Sequence, residues 1–389
     1  MYNTAKIRII IAPDKFKVSM SAAIAAAMIA EGLRVALPDA ELIQLPLSDG
    51  GEGLVESLAG EEGKLVSTMV SDPLGKPVEA TWALINESQT AVIEMAAASG
   101  LHLLKEEEKN PLFTSTYGTG ELIKTALEWG CSKIIVGIGG SATNDGGAGM
   151  AQALGAKLID QHGNSIGKGG LELLKLADLD LKELDRRLAD VEILVACDVN
   201  NPLTGPGGAS YIYGPQKGAT QKMVKQLDQA LVNYAALINN KLGMDIDKIP
   251  GSGAAGGLGA GLIAFLGARL VPGIDLVLDT IDFDRHLENC DLLITGEGKM
   301  DGQTLHGKAP FGAARRAKYK NIPVVALAGS IEGPEELFYQ AGIDACFAIA
   351  GGPITLEESI RKGPALLKNT AIQVARLWNA GILTGYKKS

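Results

Sequence analysis

Aromatic side chains make up only 5% of the 389 residues, and histidine and cysteine occur four times each. The cysteines Cys131, Cys197, Cys290 and Cys346 are far apart and form no C-x-x-C pair. That spacing excludes a disulfide framework and a cysteine-built zinc site, and reads as buried thiols in a reducing compartment. His102, His162 and His286 have no His or Cys at ligand spacing and read as packing or surface residues. There is no G-x-S-x-G elbow, so a serine hydrolase lacks its nucleophile. Positive charge is also in deficit: 36 Lys and Arg against 45 Asp and Glu give a net charge of −9. Without a basic excess there is no sequence-wide attraction to nucleic acid or anionic lipid. The longest apolar run, residues 253–268, is glycine-rich, ends at Arg269 and falls short of the ~20 residues that span a bilayer. The apolar stretch near the start stops at Asp14, too short for a secretory signal. A cytoplasmic protein with no membrane or nucleic-acid partner is the expectation.

What is present is an ordinary globular composition, 46% hydrophobic and 21% charged. At about 150 residues per domain the length suggests two or three domains. Glycine stands out at 49 of 389 residues, well above the usual ~7%, and without a collagen period. So many glycines imply tight turns and close backbone approaches. Along the chain, β-branched runs alternate with helical patterns, as in parallel sheets with helical crossovers. Residues 8–12 form a strand, 13–19 a polar loop, 21–37 an Ala-rich helix opened by Ser21, and 41–46 a second strand. The same grammar returns at residues 290–310, 323–330 and 344–352, three further strands each entering a glycine-bearing loop. Two early and three late strands make one five-stranded, doubly wound sheet. The middle has another texture: strands near 64–71 and 77–85 follow each other directly and read as antiparallel, whereas 92–100, 133–140 and 192–199 read as buried strands of a mixed sheet. The expected organisation is an α/β domain made of residues 1–60 and 288–389, a mixed α/β domain of residues 61–287 inserted into it, and an active site in the cleft between them.

In an open α/β sheet, ligands bind outside the carboxyl ends of the strands where strand order reverses. With strand order 2-1-3-4-5, that point lies between the first and third strands. The loops meeting there, residues 12–17 and 295–308, hold Asp14, Lys15, Lys17, Glu297, Lys299, Asp301, His306 and Lys308. Cations suit phosphates and carboxylates suit a divalent metal; any one of these residues is equally explained as a polar loop residue, and it is the group that points to a site. Three glycine-rich stretches add to this. Residues 302–308 spell G-x-x-x-x-G-K, but Ala309 stands where a Walker A loop has Ser or Thr. Residues 137–142 spell G-x-G-x-x-A, the outline of a dinucleotide fingerprint, without an acidic strand end some 20 residues on. The whole run 137–149 still sets backbone amides beside Ser141, Thr143 and Asn144, as an anion cradle would. Residues 251–261 carry six glycines before an apolar helix, for phosphate or for close helix packing. Asp198 leaves a buried strand into a long irregular stretch that also contains Lys217; its structural alternative is a loop cap.

Taken together, APDKFK (12–17), LPLSDGGEG (45–53), DPLGKPV (72–78), IEMAAASGL (93–101), NPLFTSTYGTGELI (110–123), GIGGSATNDGGAG (137–149), ACDVNNPLTGP (196–206), GPQKGAT (214–220) and TGEGKMDGQTLHGKAP (295–310) closely resemble the bacterial glycerate kinase family that includes the D-glycerate 2-kinases. These motifs occur in order over nearly the whole chain. The first departs from the family's commoner APDSFKGS at Lys15 and Val18, while Lys17 matches, and the acidic positions Asp49, Glu52, Glu297 and Asp301 are retained. The resemblance implies a flavodoxin-like domain carrying a restriction-endonuclease-like α/β insertion, and phosphorylation of D-glycerate by ATP with Mg²⁺.

Phosphoryl transfer needs a metal bridging the phosphates, cations against developing charge, and a carboxylate to accept the alcohol proton. On that chemistry the metal falls to Glu297 and Asp301. Phosphate contacts fall to Lys17, Lys308, His306 and the turn of Ser141, Thr143, Asn144 and Asp145. The proton acceptor is Asp198 or Asp49, and Lys217 or Lys299 faces the glycerate carboxylate. The expected product is 2-phosphoglycerate from a monomer or homodimer. The alternatives are transfer to the 3-hydroxyl, a dinucleotide-dependent oxidoreductase and a non-catalytic binding protein.

Overall fold

A computed structural model describes residues 6–60, 62–302 and 308–385, the last four without their side chains. The fold is α/β with parallel sheets, and it divides into two compact units: Met1–Asp49, Glu56–Gly60 and Ile274–Ser389 form the first, Gly50–Val55 and Glu61–Gly273 the second.

The first unit is built on five strands in the order Glu41–Gln44, Arg8–Pro13, Leu292–Met300, Val324–Ile331, Ala345–Ala348, all parallel. The interior strand Arg8–Pro13 is a nearly unbroken β-branched run because both faces are covered: Ile9, Ile10, Ile11 and Ala12 are fully buried. Helix Ala22–Ala36 covers one face with Ala25, Ala26, Ile29 and Leu33, and starts where the Ser21 hydroxyl accepts the Ile24 amide. The long helix Leu356–Gly385 lies against it through Leu367, Ala371 and Ala375. Gly32 sets how near they come, since a Cβ there would stand 2.5 Å from the Lys368 carbonyl oxygen. Helix Ala309–Tyr319 belongs to the same unit; its Arg316 is held by Asp279 at 2.6 Å and Asp284 at 2.8 Å.

The second unit contains a six-stranded sheet in the order Arg269–Val271, Glu192–Ala196, Lys133–Gly137, Thr90–Glu94, Pro77–Ile85, Lys64–Ser71. The first four strands are parallel, and the last two join antiparallel, as their direct succession in sequence suggests. Beneath them is a core containing fully buried Trp82, whose indole N–H donates to Thr68 Oγ1 at 2.9 Å. The apolar run after Gly253 becomes the buried helix Ala254–Leu266, with the short strand Arg269–Val271 following it. Among the described residues no helix is long and apolar enough to cross a membrane.

Candidate active site

Strand order in the first unit reverses between Arg8–Pro13 and Leu292–Met300; toward their carboxyl ends the two pair in register until Pro13 stands opposite Gly296, beyond which the second strand runs on to Met300. The chain leaves Arg8–Pro13 by a loop whose start is fixed by the Asp14 amide donating to the Gly296 carbonyl at 2.8 Å. Glycine makes this crowding possible: a Cβ at Gly329 would lie 2.3 Å from the Gly298 carbonyl oxygen, and one at Gly298 3.2 Å from the Lys17 amide nitrogen. Over these ends opens a pocket of about 750 Å³, lined by Asp14, Lys15, Lys17, Asp49, Glu297, Lys299, Asp301 and Lys308 among others. Its size is that of a small-molecule site.

The electrostatics of this end are unusual. Asp14 is only 6% exposed, and burial, then the neighbouring Asp49 and Glu297 carboxylates, push its pKa up to about 7. Glu297 is buried too, and the Lys308 ammonium donates to its Oε2 at 3.3 Å. Lys299 bridges Glu332 at 2.8 Å and Asp301 at 3.8 Å. Carboxylates thus alternate with lysines around one cavity, a lining suited to phosphates carried with a divalent cation. Lys17 is exposed on the loop that begins at Asp14. His306 and most of the G-x-x-x-x-G-K stretch lie outside the described residues.

In the second unit the glycine-rich run after Lys133–Gly137 wraps a buried polar cluster. Asp145 accepts from the Thr116 amide at 2.8 Å, the Thr116 hydroxyl at 3.0 Å, the Ser115 hydroxyl at 3.3 Å and the amides of Gly147 and Gly149, both at 3.2 Å. Burial raises its pKa against these hydrogen bonds. Lys217, 1% exposed, donates to Ser141 Oγ and to the Thr143 carbonyl, each at 2.7 Å. Burial pulls the Lys217 pKa down to about 7, with Asp145 acting against the shift. The Asn144 amide nitrogen donates to Ser210 Oγ at 3.0 Å, while Thr143 Oγ1 and Asn144 Oδ1 are buried with no hydrogen-bond partner among the described residues. The next helix, Ala148–Ala153, begins only after this long turn, so G-x-G-x-x-A does not open a helix as a dinucleotide fingerprint does.

Asp198 stands exposed just beyond Glu192–Ala196, where its Oδ1 accepts the Gly273 amide at 2.8 Å. Sequence reasoning passed over Glu94, at the end of its strand, whose Oε1 accepts the amides of Gly53 at 3.0 Å and Val55 at 2.9 Å. Its only signal was a lone acid in an otherwise apolar motif. Of the residues singled out from sequence, Lys17, Asp49, Glu297, Asp301 and Lys308 thus share one pocket in the first unit. Ser141, Thr143, Asn144, Asp145 and Lys217 form one buried cluster in the second.

The glycerate kinase family matches residues 9–379 of the chain. A glycerate kinase from Halalkalibacterium halodurans is 49% identical over 374 residues, covering 95% of this chain and 98% of that protein. A glycerate 2-kinase from Escherichia coli K12 is 50% identical over 355 residues, covering 91% and 93% respectively. A solved structure from Salmonella typhimurium LT2, assigned as a glycerate kinase 2, aligns with a TM-score of 0.90 at 48% identity, covering 97% of this chain and 100% of that one. By sequence over almost its full length, and by fold, the chain belongs to the glycerate kinase family, a family of phosphotransferases.

Proposed function

We propose that this protein phosphorylates D-glycerate with ATP and Mg²⁺, giving 2-phospho-D-glycerate by direct in-line transfer. The observation that carries the reading is the convergence of Lys17 and Lys308 with Asp49, Glu297 and Asp301 on one pocket, in a chain of this family. In the transfer, the 2-hydroxyl oxygen attacks the γ-phosphorus, the bond to the β-phosphate oxygen breaks to release ADP, and the hydroxyl proton passes to a carboxylate. Asp49 is favoured over Asp198 as that carboxylate because it lines the pocket that holds the lysines. By the same criterion Lys299, on the pocket lining, is favoured over the buried Lys217 as the partner of the glycerate carboxylate.

The donor set fits Mg²⁺. Burial, with the Asp49 and Glu297 carboxylates adding to it, pushes the Asp14 pKa up to about 7, and a divalent cation would offset the repulsive part of that shift. No group of three His, Cys, Asp or Glu poised as a closed cage occurs among the described residues. Mg²⁺ is usually held by one or two carboxylates together with substrate phosphates, so Glu297 and Asp301 would suffice. Bound there, it would neutralise charge on the transferring phosphoryl group. The same proposal takes the first unit as flavodoxin-like, the second as an inserted restriction-endonuclease-like domain, and the whole as a cytoplasmic monomer or homodimer.

A phosphorus NMR time course with MgATP and D-glycerate tests the reading. A growing 2-phosphoglycerate resonance is the expected result. A 3-phosphoglycerate signal would correct the acceptor hydroxyl, and folded protein that yields neither would overturn glycerate as the substrate.

A further inference from the structure

The pocket of the first unit has two chemically distinct ends. Charged groups gather where Arg8–Pro13 and Leu292–Met300 finish; away from them the lining turns apolar, with Val18, Ile349, Pro353, Ile354, Leu356 and Ile360. Three of these are turned toward solvent, Val18 at 88%, Leu356 at 77% and Ile354 at 37% exposure. Apolar side chains at a pocket wall, uncovered by their own chain, are surface that a ligand would bury. Polar groups accompany them: Ser330, Thr355 and Ser359 also line the cavity, and residues 350–355 belong to no helix or strand, so their peptide groups are outside any sheet ladder.

Glycerate cannot account for that half. It is a three-carbon anion with a polar group on every carbon, gains nothing from an aliphatic wall, and fills only a small part of 750 Å³. A nucleoside triphosphate has the matching polarity: a flat heterocycle with apolar faces and hydrogen-bonding edges, joined through a ribose to a polyanion. We infer that the apolar end of this pocket, between the carboxyl end of Ala345–Ala348 and the first turn of Leu356–Gly385, holds the base and ribose of the phosphoryl donor, with the phosphates directed toward Lys17 and Lys308. The inference rests on the ATP-dependent reading above and adds where, and by what surface, the nucleoside is held. Aliphatic faces supply most of the apolar surface there, since Phe16, the aromatic residue on the lining, is only 2% exposed, and the edges of the base meet peptide groups of residues 350–355.

Photolabelling of the full-length protein with 2-azido-ATP and Mg²⁺ tests the location. Trypsin releases residues 321–361 as one peptide, because no Lys or Arg lies between Lys320 and Arg361. Label in that peptide, suppressed by excess ATP, is the expected result and supports the subsite whether or not glycerate is turned over. ATP-suppressible label confined to peptides of residues 61–273 would overturn it. Kinetics give a second readout. Ile354→Glu and Leu356→Glu place a charge on a partly exposed wall without opening the core, and each should raise the ATP KM by about tenfold or more, leaving the D-glycerate KM and kcat within about twofold. An unchanged ATP KM in both variants would remove the apolar wall from nucleotide binding.

Discussion

Two single residues bear strains of opposite origin. Val18 sits at φ +67°, in the left-handed region, at the head of a turn closed by Phe16 and Met20. For a β-branched residue that conformation costs roughly 1–2 kcal/mol, and the related family motif has glycine at this position. Val18→Gly removes the strain and adds the unfolded-state entropy of glycine, roughly 0.5–1 kcal/mol against it. The expected net is a gain of up to about 1 kcal/mol, read as a raised urea midpoint at unchanged m-value. Lys217 is strained by desolvation instead. A neutral amine still has two N–H donors, and the structure offers two acceptors, Ser141 Oγ and the Thr143 carbonyl, so both hydrogen bonds survive loss of the proton. With a folded pKa of about 7 against an ordinary 10.5, the unfolded chain binds more protons between those values. Stability therefore rises with pH across that window and is lowest below it, by an amount on the order of a few kcal/mol. Denaturation series from pH 7 to 10 should show a rise in wild type that is absent in Lys217→Met; equal slopes would place the native pKa near its ordinary value.

Elements were legible in the sequence where burial imposes a simple pattern. The run Ile9–Ile10–Ile11 is apolar on successive residues because both faces of an interior parallel strand are covered, and the pair at 64–71 and 77–85 lacks room for a crossover helix. The short strand Arg269–Val271 was not legible, because three residues set between the Gly267 cap of the preceding apolar helix and Pro272 are too few to show an alternating pattern. Nor was the start of that helix, where Ala255, Gly256 and Gly257 all adopt left-handed angles; a Cβ at Gly256 would meet the Thr143 carbonyl oxygen at 1.9 Å. That glycine serves close packing, the second of the two readings open to the stretch. The charged half of the pocket was visible because its residue types carry chemistry. Its apolar wall was not, since Ile, Pro and Leu in a loop look like any other packing. One glycine in this unit should matter for both stability and site. Gly32 lets helix Ala22–Ala36 approach Leu356–Gly385, the helix whose first turn carries Leu356, Ser359 and Ile360 on the pocket wall. Gly32→Ala drives a methyl into the Lys368 carbonyl and should destabilise by about 1–3 kcal/mol. Urea denaturation measures that loss, and a stability equal to wild type would show that the helices separate freely.

At the scale of the whole molecule, division into two compact units assigns the chemistry-bearing residues to different bodies. Asp14, Lys17, Asp49, Glu297, Asp301 and Lys308 belong to the first unit, and Glu94, Asp145, Asp198 and Lys217 to the second. In the second unit Asp145 and Lys217 are committed to internal hydrogen bonds, which leaves Asp198 as the exposed carboxylate among the proposed proton acceptors there. Its Oδ1 already accepts the Gly273 amide, the first residue of helix Gly273–Thr280, as a helix-starting carboxylate does. Phosphoryl transfer requires one base, so the two candidates make opposite predictions. If Asp49 takes the proton, Asp49→Asn lowers kcat by about 10²–10⁴ with a small change in D-glycerate KM, because a general base contributes only in the transition state. Asp198→Asn then retains nearly full kcat and nearly full stability, because the Asn Oδ1 still accepts the Gly273 amide. Steady-state rates of the two variants decide between them. A collapse of kcat in Asp198→Asn alone would move the base to the second unit and leave the first with the nucleotide.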